Sequence, residues 1–186
     1  MQEEFLFAGF GGQGVMFAGQ LLAYAAMDEG REVTWIPSYG PEMRGGTAHC
    51  YVVISDKPIG SPIVRYPRVV IAFNNPSFEK YEPLAAPGGL LAYNASLVLR
   101  ESQRTDIAKL AVPATALADE LGELRLANVI MLGALMTAHP TLPLEAIERA
   151  LESHLPAHRR SLLELNLKAL ARGADYVNSL VGAVGI

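Results

Sequence analysis

Short apolar runs alternate with mixed segments along the first 112 residues. These runs end in glycine, proline, asparagine or serine, as buried strands do. We predict strands at 5–8, 32–36, 47–55, 69–73, 89–94 and 107–112. Helices are predicted at 13–29, where Gly30 ends the helix, and from 114 onward, and a short helix or turn is predicted at 76–81. This alternation predicts the α/β class, Rossmann-like, with a mostly parallel sheet, helices on both faces and C-terminal helix hairpins.

Two of the predicted helices, 13–29 and 126–139, are apolar around most of their circumference. A helix on the surface of a domain has an apolar stripe on one side only. Both helices should therefore be covered on more than one side, either within the chain or by a partner subunit. For the first helix both alternatives stay open. For the second we expect a partner subunit, and Gly133 would permit the close approach of another helix.

Composition narrows the class of protein. The chain has 186 residues and 20.0 kDa, enough for one sizeable core, and we predict a single domain over 1–186. Its hydrophobic fraction is 51% and its net charge is −4, which disfavours a general nucleic-acid binder. Acids stand near the N-terminus, at Glu3 and Glu4, where a signal peptide needs basic residues, and the apolar stretches are too short to span a bilayer. The expectation is a cytoplasmic protein without membrane contact.

Metal and catalytic sites are not predicted. The single cysteine, Cys50, cannot supply the four thiolates of an iron–sulfur cluster and reads as an inert core residue. Pro156 interrupts the helical register between His154 and His158, the two histidines spaced four residues apart. No nucleophile, base and orienting group stand together in a recognisable pattern, so no catalytic residue is predicted.

The first candidate for chemistry is a glycine-rich loop between the first strand and the first helix. It fits G-x-G-x-x-G and reads Gly9-Phe10-Gly11-Gly12-Gln13-Gly14. Such a loop brings backbone N–H groups and a helix start close to an anion, or it is merely a tight turn. A dinucleotide site also needs an acid at the end of the second strand, which instead ends in Pro37 and Ser38. An anion site is favoured over an NAD site.

The second candidate is the polar loop after the second strand. It reads Ser38-Tyr39-Gly40-Pro41-Glu42-Met43-Arg44-Gly45-Gly46-Thr47. Backbone amides around one arginine suit an anion, whereas the plain alternative is a surface turn in which Arg44 pairs with Glu42. We expect both loops at the same carboxyl edge of a parallel sheet, where α/β proteins bind ligands.

These two loops together resemble the gamma subunit of 2-oxoacid:ferredoxin oxidoreductases. The resemblance continues through Ala48-His49-Cys50, 75–81, 87–94, 128–135 and 165–170, so it covers nearly the whole chain. The Glu-Met-Arg-Gly-Gly sequence is its most specific part and is most similar to the 2-oxoglutarate type. His49 stands where that branch would lead us to expect asparagine.

The resemblance implies a subunit that does not act alone. The complex decarboxylates a 2-oxoacid on thiamine diphosphate, passes electrons through iron–sulfur clusters to ferredoxin and transfers the acyl group to coenzyme A. Thiamine diphosphate, magnesium and the clusters are expected on alpha and beta subunits, with a ferredoxin-like delta subunit as a further candidate partner. Coenzyme A is expected near the two loops, at Gly9, Gly11, Gly12, Gln13, Gly14, Ser38, Tyr39, Glu42, Arg44, Gly45 and Gly46. The alternatives are a non-catalytic scaffold subunit and a free-standing nucleotide-binding protein.

Overall fold

The computed structural model describes residues 1–39 and 47–183 and contains all six predicted strands. They are β1 (Gln2–Phe10), β2 (Glu32–Tyr39), β3 (Thr47–Ser55), β4 (Val69–Ala72), β5 (Leu90–Asn94) and β6 (Ala108–Val112). The α-helices are α1 (Val15–Asp28), α2 (Asn75–Tyr81), α3 (Ala114–Glu120), α4 (Ala127–Ala138), α5 (Leu144–His154) and α6 (Leu163–Ala183). Short 3₁₀ turns precede α4, at Leu124–Leu126, and α6, at Ala157–Leu162.

The strands form one sheet in the order β2-β3-β1-β4-β5-β6. Strands β1, β4, β5 and β6 run parallel, whereas β3 is antiparallel to both of its neighbours, β1 and β2. The mostly parallel sheet is confirmed, although the part that carries the two loops is mixed. In the register, Phe10 lies opposite Thr47 and Tyr39 lies opposite Ala48. The ends of β1 and β2 therefore meet at one edge, as predicted.

Two strands are longer than the apolar runs that predicted them. Strand β1 begins at Gln2, because Gln2 pairs with Ser55 at the far end of β3. Strand β2 continues through Ser38 and Tyr39, which pair with His49 and Ala48. The prediction that the polar loop starts at Ser38 was wrong, since backbone pairing with β3 holds these two residues in the sheet.

Helices lie on both faces of the sheet, as predicted, but the two layers are unequal. One face carries a large core built with α1, α3, α4, α5 and α6, and the buried side chains of Phe5, Phe7 and Ile71 point into it. The other face is covered by a small core that includes Phe78 and Tyr81 of α2. The thicker layer is the one that α1 joins, so it determines what surrounds the glycine loop.

Helix α4 is covered by its own chain, and the expectation of a partner subunit there was wrong. A Cβ atom on Gly133 would meet the Leu170 carbonyl of α6, and one on Gly173 would meet the Ile130 carbonyl of α4. The two helices cross at these glycines, so the close approach that Gly133 suggested is made by α6. Helix α1 is likewise buried along most of its length by the sheet, α4 and α5. Within the residues described, no helix is both long enough and apolar enough to cross a bilayer.

Candidate functional site

The loop between β1 and α1 depends on two glycines with a left-handed backbone. Gly12 has a φ of 98°, and Gly14, the N-cap of α1, has a φ of 72°. Residues with a Cβ atom rarely adopt this conformation, so the sequence can make this turn only with glycine at both positions. The loop then turns the chain directly from the end of β1 into the helix.

The first turn of α1 has no capping side chain. Gly14 offers none, and no acidic residue stands in the turn. The first backbone N–H groups of a helix have no partner within it, so those of Val15, Met16 and Phe17 are available to an anion. The phosphate-type site that the glycine motif predicts would be located at this helix start, and it stays a prediction.

Gln13 supports the loop from below. Its side-chain Oε1 accepts hydrogen bonds from the Phe10 N–H, at 2.7 Å, and from the Asn74 amide, at 2.8 Å. Its Nε2 donates to the Phe73 carbonyl over 3.4 Å. Gly9 packs against the Gln13 side chain, because a Cβ atom on Gly9 would lie 2.7 Å from Gln13 Oε1. Of the predicted loop residues, Gln13 and Gly9 hold the loop to the end of β4 and do not line the cavity described next.

A cavity of about 420 Å³ opens in front of the loop. It lies where α1 and α4 begin and where the chain passes from α5 to α6. Its described lining consists of Phe10, Gly11, Gly12, Gly14, Val15, Met16, Phe17, Thr47, Ala48, Glu123, Arg125, Leu126, Asn128, Leu155, Arg159, Leu162 and Asn166. Of the predicted site residues, Gly11, Gly12 and Gly14 line this cavity, whereas Ser38 is not among the lining residues.

Two arginines that sequence reasoning missed stand in the cavity wall. Arg125 forms a two-pronged pair with Glu123, with Nε–Oε1 and Nη2–Oε2 distances of 2.9 and 2.6 Å. These hydrogen bonds hold the pKa of the Glu123 carboxyl at about 2. Arg159 makes no salt bridge with any acid in the described part of the chain. Both arginines lie more than 100 residues from the glycine loop, and the only local signal is the short basic run His158-Arg159-Arg160.

Asn128 ties the start of α4 to the glycine loop. It is buried, and its Nδ2 donates to the Gly14 carbonyl over 3.1 Å, while its Oδ1 accepts from the Val129 N–H at 2.9 Å. A buried polar side chain needs such partners to offset its loss of water. An asparagine inside an apolar helix was the signal available in the sequence.

A second cavity of about 140 Å³ adjoins the first. Both are lined by Phe17 and Leu155, and the second extends to Tyr24 and His154. Those two rings stack with their centroids 4.2 Å apart, and His154 Nε2 lies 2.8 Å from Asp28. The site therefore combines a polar mouth at the helix start with an apolar and aromatic inner end.

The second predicted loop can be followed only at its two ends. Ser38 and Tyr39 end β2 at the edge where Phe10 ends β1. The four other predicted residues, Glu42, Arg44, Gly45 and Gly46, lie outside the described residues.

The described residues do not suit a resident metal or cluster. No group of three histidine, cysteine, aspartate or glutamate side chains comes together in the part of the chain that the structure covers. Cys50 is fully buried on β3, and burial raises the pKa of its thiol to about 12. A thiol held in its protonated form is a poor metal ligand. Its prediction as an inert core residue agrees with this position.

Comparison with known proteins identifies the family. The chain is 41% identical over 170 residues to ketoisovalerate oxidoreductase subunit VorA of Methanothermobacter marburgensis, covering 91% of this chain and 35% of that relative. It thus spans about a third of the length of the first curated relatives that it matches. It is 33% identical to 2-oxoglutarate synthase subunit KorC of Methanocaldococcus jannaschii, covering 97% of this chain and 96% of the relative.

A solved structure has the same fold. The gamma subunit of keto/oxoacid ferredoxin oxidoreductase from Geobacter sulfurreducens aligns with a TM-score of 0.84 and 29% identity, covering 96% of this chain and 98% of that chain. The family described as pyruvate ferredoxin/flavodoxin oxidoreductase matches residues 4–176, which include the glycine loop and all the described lining residues of the cavity. This confirms the family expected from the two loops: the chain belongs to the pyruvate ferredoxin/flavodoxin oxidoreductase family.

Proposed function

We propose that this chain is the gamma subunit of a cytoplasmic 2-oxoacid:ferredoxin oxidoreductase. The complex converts a 2-oxoacid, coenzyme A and oxidised ferredoxin into acyl-CoA, CO₂ and reduced ferredoxin. Thiamine diphosphate, magnesium and the iron–sulfur clusters belong to alpha and beta subunits, with a delta subunit as a further partner. The described residues of this chain support that division, because they bring together no metal ligands and their one thiol is buried.

The observation that carries the proposal is the uncapped start of α1, which opens into a cavity of about 420 Å³. Coenzyme A carries its phosphate groups at the nucleotide end, followed by a long pantetheine arm in which methyl and methylene groups alternate with amides. The N–H groups of the first helical turn and Arg159 suit the phosphates. The apolar wall between Phe17 and Leu155 suits the arm. This chain therefore helps to form the approach of coenzyme A to the reacting subunits.

Each predicted loop residue has a place in this proposal. Gly11, Gly12 and Gly14 line the approach, while Gly9 and Gln13 support the loop from β4. The remaining predicted residues, for which we keep the role of coenzyme A contacts as a prediction from the sequence, are Ser38, Tyr39, Glu42, Arg44, Gly45 and Gly46. None of these residues performs a bond-making step, since the acyl group is formed on the partner subunits.

We propose 2-oxoglutarate as the 2-oxoacid. Support comes from the KorC relative, which aligns over nearly the full length of both chains. A branched-chain 2-oxoacid is the second candidate, because the VorA relative shares more identical residues. Assaying the reconstituted complex against a panel of 2-oxoacids distinguishes the two, with 2-oxoglutarate expected to give the highest kcat/KM.

The test of the coenzyme A approach is Arg159→Ala in the purified complex. Loss of a guanidinium that contacts a phosphate should raise the KM for coenzyme A about tenfold and leave the KM for the 2-oxoacid unchanged. Arg160→Ala is the matched control, because Arg160 is the neighbouring exposed cation and does not line the cavity.

Three outcomes would contradict the proposal in different ways. If Arg159→Ala releases the chain from the complex, this surface is an interface and the scaffold alternative is favoured. If Arg159→Ala and Arg160→Ala raise the KM for coenzyme A equally, the effect comes from the loss of positive charge in general and not from a contact made by Arg159. A chain that purifies without cluster-bearing partners and binds a nucleotide by itself would be the free-standing protein instead.

A further inference from the structure

One acidic side chain lies in the wall of a cavity that otherwise suits anions. Glu123 and Arg125 both line it beside the glycine loop. The carboxylate faces the guanidinium over two contacts, of 2.9 and 2.6 Å, and also accepts a hydrogen bond from the Arg125 N–H at 3.1 Å. Side-chain exposure is 25% for Glu123 and 75% for Arg125. The pair therefore stands at the wall surface, where a ligand can reach it.

This arrangement divides the cationic groups of the cavity into two kinds. The N–H groups of the first turn of α1 and the Arg159 guanidinium meet no carboxylate in the described part of the chain. Arg125 is already occupied by Glu123. An anion that approaches the glycine loop is attracted by the first set and repelled by the Glu123 carboxylate unless it competes for Arg125.

A phosphoryl group competes for Arg125 better than a carboxylate does. A terminal phosphate carries a charge of about −1.5 to −2 at neutral pH and three acceptor oxygens, whereas a carboxylate carries a single charge on two oxygens. Arginine binds both groups in the same two-pronged manner. A carboxylate ligand would therefore replace Glu123 with an equivalent group and gain little. A phosphate brings additional charge, and its further oxygens remain free to accept hydrogen bonds from other groups of the cavity wall.

We propose that the Glu123–Arg125 pair is a selectivity latch that admits phosphoryl groups to the cavity and rejects carboxylates. The inference rests on the proposed function, in which a phosphorylated thiol carrier and a 2-oxoacid are both substrates of one complex. The latch keeps the carboxylates of the 2-oxoacid out of the approach of the carrier. Glu123 is thus a specificity-determining residue that acts through Arg125.

The pair also has a structural role that a test must keep intact. Glu123 caps the 3₁₀ turn at Leu124–Leu126 through its hydrogen bond with the Arg125 N–H. Glutamine keeps a side-chain oxygen that can accept this bond and removes only the charge. Glu123→Gln is therefore the variant of choice.

The experiment is calorimetric titration of the full chain at low ionic strength, with inorganic pyrophosphate and 2-oxoglutarate as separate probes. The wild-type chain is expected to bind pyrophosphate more tightly than 2-oxoglutarate. In Glu123→Gln, the ratio of the affinity for 2-oxoglutarate to the affinity for pyrophosphate should rise roughly three- to tenfold over the wild-type ratio. Glu120→Gln is the matched control, since Glu120 pairs with Arg172 at 2.9 Å and does not line the cavity; it should leave both affinities unchanged.

A second variant covers the case in which Glu123→Gln fails to fold. In Arg125→Gln the carboxylate stays, so the latch predicts weaker binding of pyrophosphate and no gain for 2-oxoglutarate. Gained binding of 2-oxoglutarate in Arg125→Gln would overturn the latch.

The failures of the latch and of the proposed function are distinguishable. If the wild type binds pyrophosphate and Glu123→Gln leaves the ratio of the two affinities unchanged, the latch is overturned and the anion cavity stands. If the wild type binds neither probe, the anion cavity fails. The latch is then overturned as well, because it is proposed to admit phosphoryl groups and pyrophosphate does not bind.

Discussion

At the scale of single residues, Gly14 is the position where the loop and the helix layer depend on each other most directly. Its φ of 72° disfavours any Cβ atom, and a Cβ atom there would also meet the Asn128 amide. Backbone strain and displacement of Asn128 together predict that Gly14→Ala lowers the free energy of unfolding by about 3 kcal/mol. Urea denaturation of the full chain measures this loss.

Gly12→Ala is the matched control for this effect. Its φ of 98° is strained in the same way, but no atom of the described residues lies within 4 Å of the added Cβ. Gly12→Ala should lower the free energy of unfolding only by the cost of backbone strain, about 1–2 kcal/mol. An equal loss in both variants would mean that the contact between Gly14 and Asn128 adds nothing to stability.

The same residues show how far local sequence can predict a site. The glycines at positions 12 and 14 follow from a strand, a tight turn and a helix that are contiguous in the chain. The direction of Gln13 does not, because its partner Asn74 is 61 residues away. Arg159 could not be found from its neighbours either, since only the folded chain brings it to the glycine loop.

At the scale of elements, the crossing of α4 and α6 is the most demanding contact in the helix layer. A Cβ atom on Gly133 would meet the Leu170 carbonyl, which belongs to the backbone and cannot move without moving α6. Gly133→Ala should therefore cost about 3 kcal/mol or more, even though alanine is the better helix former. The midpoint of urea denaturation is the measurement.

Gly60→Ala provides the control for the same chemical change in open space. Among residues 1–39 and 47–183, no atom lies within 4 Å of a Cβ added to Gly60, and Gly60 has no left-handed φ. Its midpoint should stay within the scatter of the wild-type value or rise slightly. If Gly133→Ala behaves like Gly60→Ala, the two helices do not touch at their glycines.

Strands and helices could be predicted from the sequence where the local pattern of apolar and polar residues is enough to determine them. Apolar runs located strands such as β1, β4 and β5, because a strand buried on both faces has few polar positions. The antiparallel direction of β3 was not predictable, since its alternating pattern suits either direction. The partner of α4 was assigned wrongly, because an apolar circumference indicates that a helix is covered but not by which element.

At the scale of the whole molecule, the sheet has one thick and one thin covering layer. On the thin side, His49 of β3 packs against Tyr81 of α2 with ring centroids 5.5 Å apart, and its ring lies 5.8 Å from that of Tyr51. The Tyr81 hydroxyl is buried and has no hydrogen-bond partner in the described part of the chain. A positive charge on His49 would therefore lie against two tyrosine rings in a partly buried position.

Acid should destabilise the molecule through His49. Burial, and then the positive charge of Lys80, lower the pKa of His49 in the folded chain. In the unfolded chain a histidine titrates near its ordinary value of about 6.5. Below that pH the unfolded state binds the proton more readily, so this contribution to stability is present above about pH 6.5 and is lost as the pH falls.

The test is the free energy of unfolding measured between pH 8 and pH 5. In His49→Asn, which introduces the residue expected from the family resemblance, this free energy should depend less steeply on pH than in the wild type. His158→Asn, at an exposed histidine, should keep the wild-type slope; matching slopes for wild type and His49→Asn would exclude His49 as the source.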